Sequence, residues 1–491
     1  MRKALFSLAV LSAGLMAQNL SLDDAIRIAL ENNRNLKISQ TALKIADAQY
    51  HQALSARYPQ LTASATAMRM DEDPSFLMKG TFTLPQEFTN GLALSGAVTQ
   101  DEIASMMSGQ PSNHANLATT LGLVQSGSIP SQSIPLNMDV KQMDRDLGVL
   151  RLDMMYPLYS GGKIDAVIKQ AALNKSIQSE EARRSESEVI YDVKRYYYGA
   201  MLAQHLSAET HDTLERMNMV KDLTETFYQG GSLKVKKTDY LRTLTTVNMI
   251  ASMDEEMKSN AELAKSALIN ATGLPWNSTV ELTQNEFPAP QLSGDLKTLV
   301  DDAYKFNPTY AQLKLAIDVQ SAKVDEASSA YLPSIALTAN AQKLLNSYDA
   351  GVVNDTNKNS WTIGVGLQWN LFEGFRTDYA VQEAKLNKLN FQHKEVLLQE
   401  GLALQVKYAF IKLGQSERQN VALTNAKTSA TENADLNTRA YQEDMVETKD
   451  VIEAQIMETF AKAAYWKNLH DFAASKAQLD YIIASQSTQA K

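Results

Sequence analysis

The chain has 491 residues, a formal net charge of −9 and no cysteine. The acidic balance argues against nucleic acid as a partner, and the lack of thiols excludes disulfides, thiolate metal sites and cysteine nucleophiles. Every proline lies at or before Pro333, so long segments carry no residue that breaks a helix.

The first 17 residues have the pattern of a secretory signal peptide. Met1, Arg2 and Lys3 form a basic start, an apolar run follows, and small residues lead to Ala17. We expect cleavage after Ala17 and export of the mature chain. No later segment approaches the roughly 20 apolar residues that a membrane-spanning helix needs.

The mature chain is predicted to contain two copies of one structural unit, a first repeat over residues 18–294 and a second over 295–491. Each repeat is predicted to run helix, strand, loop, strand and two long helices. Equivalent residues are Ala29 and Ala303, Asn33 and Asn307, Pro59 and Pro333, then Tyr159 and Phe372, Val193 and Val406, Tyr228 and Tyr441. The first repeat has extra residues within about 70–145, which lack a sustained period and are predicted to form a long loop.

Four segments alternate apolar with polar or small residues, which indicates β-strands with one apolar face. In the last of them Trp361, Ile363, Val365 and Leu367 alternate with threonine, glycine and glutamine, and tryptophans lie at both ends of the apolar face. The other three apolar faces begin at Leu61, Leu150 and Ile335. This pattern is typical of a barrel wall between lipid and water. Four strands cannot close a barrel, so several chains must share one, and the strand count leaves both 8 strands from two chains and 12 from three open.

Two proline-free runs, at about 163–229 and 376–442, predict two helices of equal length. Apolar positions step by four, three and four residues from Val189 to Ala200 and again from Leu402 to Leu413, which is coiled-coil spacing. Turns near 229–236, at Gly230 and Gly231, and near 442–448, at Asp444, are predicted to reverse the chain between paired helices.

No catalytic or metal-binding constellation is present in the sequence. It contains no phosphate-binding glycine loop and no hydrolase or metalloprotease motif, and its six histidines form no cluster. We therefore expect no cofactor, no metal and no enzyme activity. Asp450 and Glu453 are three residues apart, which puts them on one face just after the second turn. Spacing alone leaves two interpretations, an acidic ring at a pore mouth or a solvated helix start.

Taken as a set, these motifs resemble the TolC-type outer membrane efflux protein family. The resemblance rests on the Ala-x-x-x-Asn segments ending at Asn33 and Asn307, the Tyr58-Pro59 and Leu332-Pro333 strand entries, and the strand exits at 157–162 and 370–374. The segment from Tyr441 to Glu453 also resembles the corresponding segment of that family.

The resemblance implies an α+β membrane protein in the bacterial outer membrane that extends into the periplasm. Three chains would form a 12-stranded β-barrel, with four strands per chain, continuing into a periplasmic tunnel of long coiled-coil helices. The implied function is passive conduction of drugs, toxic small molecules or proteins outward in a tripartite efflux or type I secretion system. The implied partners are two further copies, a periplasmic adaptor protein, an inner-membrane RND pump or ABC transporter, and outer-membrane lipid.

By position, the resemblance implies that Asp450, Glu453, Tyr441 and Asp239 form a pore gate at the periplasmic tip. Val446 stands where strongly gated relatives carry an arginine, so closure here must rest on other contacts. The loop at 70–145 is expected to face the exterior or to fold over the barrel mouth. A periplasmic or surface coiled-coil scaffold or adhesin is the alternative, and it leaves the lipid-patterned strands unexplained. A secreted hydrolase lacks a nucleophile and base.

Overall fold

The computed structural model describes residues 18–78, 81–83, 98–107, 116, 133–135, 138–232, 235–348, 350–354 and 357–484. The predicted signal peptide lies outside the described residues. The chain divides into two compact units, one made of 47–173 and 317–390 and the other of the remaining segments.

Helices in the described part of the chain are α1 (Leu22–Asn32), α2 (Arg34–Ser55), α3 (98–107), α4 (Lys163–Gln229), α5 (Lys237–Thr272), α6 (Leu296–Phe306), α7 (Pro308–Ser328), α8 (Arg376–Gln442) and α9 (Thr448–Ile482). The strands are β1 (Gln18–Leu20), β2 (Gln60–Arg69), β3 (Ser75–Met78), β4 (Thr81–Thr83), β5 (Ser133–Pro135), β6 (Met138–Lys141), β7 (Asp146–Tyr159), β8 (Val280–Leu282), β9 (Ser334–Leu345) and β10 (Asn359–Gln368).

The first unit is built on a four-stranded antiparallel sheet in the order β10-β9-β7-β2. These strands occupy the four segments that alternating polarity predicted. Pairing of β7 with β9 joins the strands of the two predicted repeats into one sheet. Strands β2 and β10 are the outer strands, so each presents one row of backbone N–H and C=O groups that has no partner within the sheet.

The register gives the sheet one apolar face and one polar face. Leu152 pairs with Ala63 and with Ala341, and Ala341 pairs with Trp361, so all four share a face. The apolar face is exposed in the single chain, with Trp361 at 77% and Val365 at 65% of full exposure. We call the other face the polar sheet face; its members include Ser64, Arg151, Asp153, Asn340, Gln342, Ser360, Thr362, Gly364 and Gly366.

The stretch at 70–145 was predicted as one long loop, and its described part contains regular structure. Strand β3 pairs with β6 and β4 pairs with β5, both antiparallel, and α3 lies between β4 and β5 in sequence. Pairs of three or four residues are too short to give a visible period. The same limit hid the three-residue parallel pairing of β1 with β8.

The second unit is helical and has a core around each of the two predicted coiled-coil stripes. Val189 and Val193 of α4 are buried in one core, and Leu402 and Val406 of α8 are buried in the other. Helices α4 and α8 both have 67 residues and begin and end where the proline-free runs predicted. Among the described residues, no helix combines the length and apolarity needed to cross a bilayer.

Asn33 and Asn307 interrupt the single helix that was predicted before the first strand of each repeat. The backbone N–H of each bonds the carbonyl of the alanine four residues earlier, Ala29 or Ala303, and so closes the last turn of α1 or α6. The side-chain amide of Asn33 donates to the Ala271 carbonyl at 2.9 Å, and that of Asn307 donates to the Ile482 carbonyl at 2.9 Å. The Ala-x-x-x-Asn pattern is therefore a helix end anchored to a distant helix.

Replacing Asn307 with alanine should lower the free energy of unfolding by about 1–3 kcal/mol, because it leaves two backbone groups without partners. The carboxamide oxygen of Asn307 also accepts from the Tyr310 N–H at 3.0 Å, and its side chain is buried. Asn33→Ala should cost less, because the Asn35 N–H that bonds the Asn33 oxygen is exposed and water can replace it. Urea unfolding of the purified variants in detergent checks the order; equal midpoints for Asn307→Ala and wild type would contradict it.

Candidate functional site

Two chain reversals, each between a long helix and the next, have the same backbone hydrogen bonds. After α4, the Gly231 N–H bonds the Tyr228 carbonyl and the Ser232 N–H bonds the Phe227 carbonyl. After α8, the Asp444 N–H bonds the Tyr441 carbonyl and the Met445 N–H bonds the Ala440 carbonyl. Both turns thus end their helix in the same way, and Gly230 directly follows α4 in the first of them.

Each reversal needs one residue with left-handed backbone geometry. Gly231 has a φ of 78° and Asp444 has a φ of 57°, and the two occupy equivalent positions of the repeats. Glycine adopts this geometry freely, and aspartate tolerates it better than most residues. The predicted turn residues therefore lie at the turns, and the second turn is built without glycine.

Asp239 and Asp450 have the same local role, as caps of the helices that follow the turns. The Asp239 carboxylate accepts from the Lys236 N–H at 2.9 Å, and the Asp450 carboxylate accepts from the Glu447 N–H at 3.2 Å. Negative charge at these positions is also favourable near a helix N-terminus. Both carboxylates are half-buried. Their positions are therefore explained by helix geometry, independently of any role in a pore.

Tyr441 lies in a buried cluster that joins the second turn to the end of α4. Its hydroxyl lies 2.7 Å from the Thr224 hydroxyl and 3.0 Å from the Thr448 hydroxyl. Because Thr224 donates its one proton to the Val220 carbonyl, the Tyr441 hydroxyl donates to Thr224 and accepts from Thr448. We call this chain of hydroxyls the tip network.

Apolar side chains surround the tip network. Val220 and Val451 are buried against the Tyr441 ring, and Val446 and Phe227 pack against this apolar cluster. The Phe227 ring meets that of Tyr441 edge-on, with the ring centres 5.8 Å apart. Val446 therefore closes the turn by packing within the chain, at the position where an arginine would offer an ion pair.

The structure does not bring the four predicted gate residues into contact with one another. Within the described residues, no hydrogen bond or ion pair joins any two of Asp239, Tyr441, Asp450 and Glu453. Glu453 is exposed, one helical turn beyond Asp450 on α9. Glu453 thus presents its carboxyl group to solvent, Asp450 lies half-buried one turn before it, and Tyr441 belongs to the interior.

A buried charged cluster went unrecognised in the sequence. Glu458 of α9 has no exposed surface, and its carboxylate lies 2.9 Å from Arg216 and 3.0 Å from Lys462. Neither contact has hydrogen-bond alignment at the Glu458 oxygens, so the attraction is that of an ion pair. Lys462 also contacts Glu209 at 2.9 Å. These residues hold α9 of the second repeat against α4 of the first.

The charges in this cluster support one another. Burial lowers the pKa of the Lys462 ammonium group, but its contacts with Glu209 and Glu458 outweigh burial and hold that pKa above its ordinary value. The Glu458 and Lys462 spacing of four residues is visible in the sequence, but nothing there indicates that Arg216 and Glu209 come from another helix. No group of three or more histidines and carboxylates suited to a metal ion occurs among the described residues.

Comparison with known proteins identifies the family that this arrangement resembles. Residues 299–485 match the family model described as outer membrane efflux protein. The chain is 24% identical over 271 residues to a probable efflux pump outer membrane protein, TtgC of Pseudomonas putida, covering 54% of each chain. It is 26% identical over 246 residues to the alkaline protease secretion protein AprF of Pseudomonas aeruginosa, covering 49% of this chain and 50% of AprF.

The chain thus spans about half the length of the curated relatives that it matches. Its fold is similar to that of the Campylobacter jejuni CmeC outer membrane channel, with a TM-score of 0.69 and 17% identity over 94% of this chain and 85% of CmeC. These matches confirm the resemblance that the sequence motifs indicated and the outer-membrane location expected from it. The matched family is one of efflux proteins rather than enzymes.

Tyr441→Phe should loosen the second turn, because it removes the buried hydroxyl that bridges Thr224 and Thr448. The expected cost is about 1–3 kcal/mol, which corresponds to amide hydrogen exchange roughly 5- to 150-fold faster over residues 443–448. Tyr228→Phe is the matched control, because Tyr228 is the equivalent residue and is 38% exposed. Equal exchange in both variants would show that the tip network contributes nothing to the turn.

Proposed function

We propose that three copies of this chain form a passive exit duct in the outer membrane, as the last component of a tripartite efflux or type I secretion system. The observation that carries the proposal is the four-stranded sheet, with an exposed apolar face, a polar opposite face and two open edges. The exposed apolar face and the open edges are unfavourable for a chain alone in water, and both are satisfied in a closed barrel within lipid.

The strand directions favour closure by identical copies. Neighbouring strands alternate in direction across the order β10-β9-β7-β2, so β10 of one copy can meet β2 of the next in the same antiparallel way. Because the number of strands per copy is even, repeated rotation closes the barrel without a parallel junction.

Three copies fit a duct better than two. An eight-stranded barrel has an interior that side chains fill, whereas 12 strands enclose a wider lumen. With the apolar face toward lipid, the polar sheet face would line that lumen and place Arg151, Asp153 and Asn340 in water.

Helix α8 supplies a second contact surface for neighbouring copies. Its inner stripe is buried within the chain, while Leu397, Leu404 and Ile411 recur every seven residues on another side. Leu397 is 69% and Leu404 is 68% exposed in the single chain. A sustained apolar heptad in water is costly, and packing against a helix of the next copy would cover it, as in a tunnel of coiled-coil helices.

The names of the relatives suggest the substrates and partners of the duct. TtgC is named as an efflux pump component and AprF as a protease secretion protein. We therefore propose drugs, toxic small molecules or proteins as substrates, and a periplasmic adaptor with an inner-membrane RND pump or ABC transporter as partners. The duct itself performs no catalysis. A coiled-coil scaffold or adhesin explains the helices but leaves the exposed apolar sheet face without a function.

The second turn is proposed as the periplasmic gate, with Asp450 and Glu453 at the pore mouth, the tip network of Tyr441 holding the turn closed, and Asp239 on the neighbouring turn. A ring of carboxylates at a constriction favours cations and binds multivalent ones. Asp444, Gly230 and Gly231 would allow the chain to reverse tightly enough for these turns to meet around the axis.

The double variant Asp450→Asn with Glu453→Gln should weaken block of single channels by multivalent cations in planar bilayers and lower their preference for cations over anions, because negative charge at the mouth is lost. Asparagine keeps an oxygen for the Glu447 N–H, so the helix cap survives and the charge alone is tested.

Glu262→Gln is the control, because its exposed carboxylate lies on α5, 23 residues beyond Asp239 in the sequence. Unchanged traces from the double variant would remove these acids from the pore mouth. Absence of channels from the wild-type protein would contradict the duct itself.

A further inference from the structure

Helix α3, from the extra residues of the first repeat, lies against the polar sheet face. The carboxylate of Glu102 lies 3.8 Å from the guanidinium of Arg151, which stands near the middle of β7 and pairs with Ser64 of β2. Asp101, the preceding residue, is buried, and its carboxylate accepts from the Asn116 N–H at 3.0 Å. One end of α3 is therefore tied to the centre of the sheet and to a later part of the same insertion.

The other end of α3 reaches β10. A β-carbon built on Gly366 would collide with the sulfur and the terminal methyl group of Met107. Gly366 pairs with Ala336 of β9, so two small residues leave room here for the methionine side chain. Since β9 separates β7 from β10 in the sheet, α3 extends across three strands on their polar side.

A cavity of about 1450 Å³ adjoins α3 on the same side of the sheet. Its walls include Asp101 and Met107 of α3 and charged residues at the ends of neighbouring helices, among them Lys323, Glu326 and Arg376. The cavity beside α3 thus has charged side chains in its wall, which suits a water-filled space rather than a lipid-facing surface.

We propose that α3 lies inside the barrel lumen and forms a constriction there, separate from the gate at the helix turns. This inference rests on the proposed function, because the polar sheet face lines a lumen only if the barrel closes around it. Three copies would place three such helices, each with the acidic pair Asp101 and Glu102, inside one 12-stranded barrel. Helix α3 would then narrow the duct within the membrane, whereas the sequence suggested that the loop faces the exterior or folds over the barrel mouth.

A constriction of this kind limits which solutes can pass through the lumen. Small solutes and hydrated cations fit between helices that line a lumen, whereas a polypeptide requires α3 to leave the polar sheet face. The ion pair of Glu102 with Arg151 is partly exposed, so it fixes the position of α3 weakly enough for such displacement.

The absence of native cysteine allows a direct test with single cysteines in the full-length protein. Glu102→Cys places a thiol on the exposed side of α3, Ser64→Cys places one on the polar sheet face, and Ile363→Cys places one on the apolar face. A charged, membrane-impermeant methanethiosulfonate reagent is added to channels in planar bilayers. We expect the reagent to lower the current through the Glu102→Cys and Ser64→Cys channels and to leave Ile363→Cys unchanged.

A second variant replaces residues 98–107 with a glycine-serine linker of equal length, and we expect its conductance to rise about twofold or more, because the lumen widens. If Ser64→Cys responds while Glu102→Cys and the linker variant behave as wild type, the constriction is wrong and the duct stands. If the wild-type protein forms no channels, the duct is wrong and the constriction falls with it.

Discussion

Backbone hydrogen bonding in a sheet with two open edges is the constraint on which the rest of this structure depends. A peptide group in hydrocarbon has no water to bond, so each N–H and C=O of a membrane-exposed strand needs a protein partner. Within one copy, β7 and β9 meet this need on both sides, while β2 and β10 meet it on one side. Under the proposed function, assembly with further copies would supply the missing partners while the apolar face stays against lipid.

The same backbone geometry recurs in both predicted repeats, but the side chains at equivalent positions differ. Asn33 and Asn307 anchor equivalent helix ends, and Asp239 and Asp450 cap equivalent helix starts. The tyrosines diverge: Tyr228 is exposed and stacks on Tyr240, whereas Tyr441 is buried in the tip network. The two predicted repeats thereby carry two different turns, and the more tightly connected one is the proposed gate.

The period of the apolar residues and the distribution of the prolines made the main helices and strands predictable from the sequence, because both are local properties. Alternating polarity from Trp361 onward predicted strand β10, and the absence of proline predicted helices α4 and α8. Contacts between distant segments were not predictable. Arg216, one partner of Glu458, comes from α4, and the break at Asn33 depends on a carbonyl more than 200 residues away. Helix α3 was missed because a ten-residue helix in a polar insertion has no apolar stripe long enough to recognise.

The central claim is that one face of the sheet meets water inside a pore and the other meets lipid. Single cysteines at five positions of β10 test it in protein reconstituted into lipid vesicles and exposed to a membrane-impermeant thiol reagent: Ser360, Trp361, Thr362, Ile363 and Val365. The account predicts reaction at Ser360 and Thr362 and protection at Trp361, Ile363 and Val365, a period of two residues. Equal reaction at all five positions would mean that both faces lie in water, and the duct would have to be abandoned.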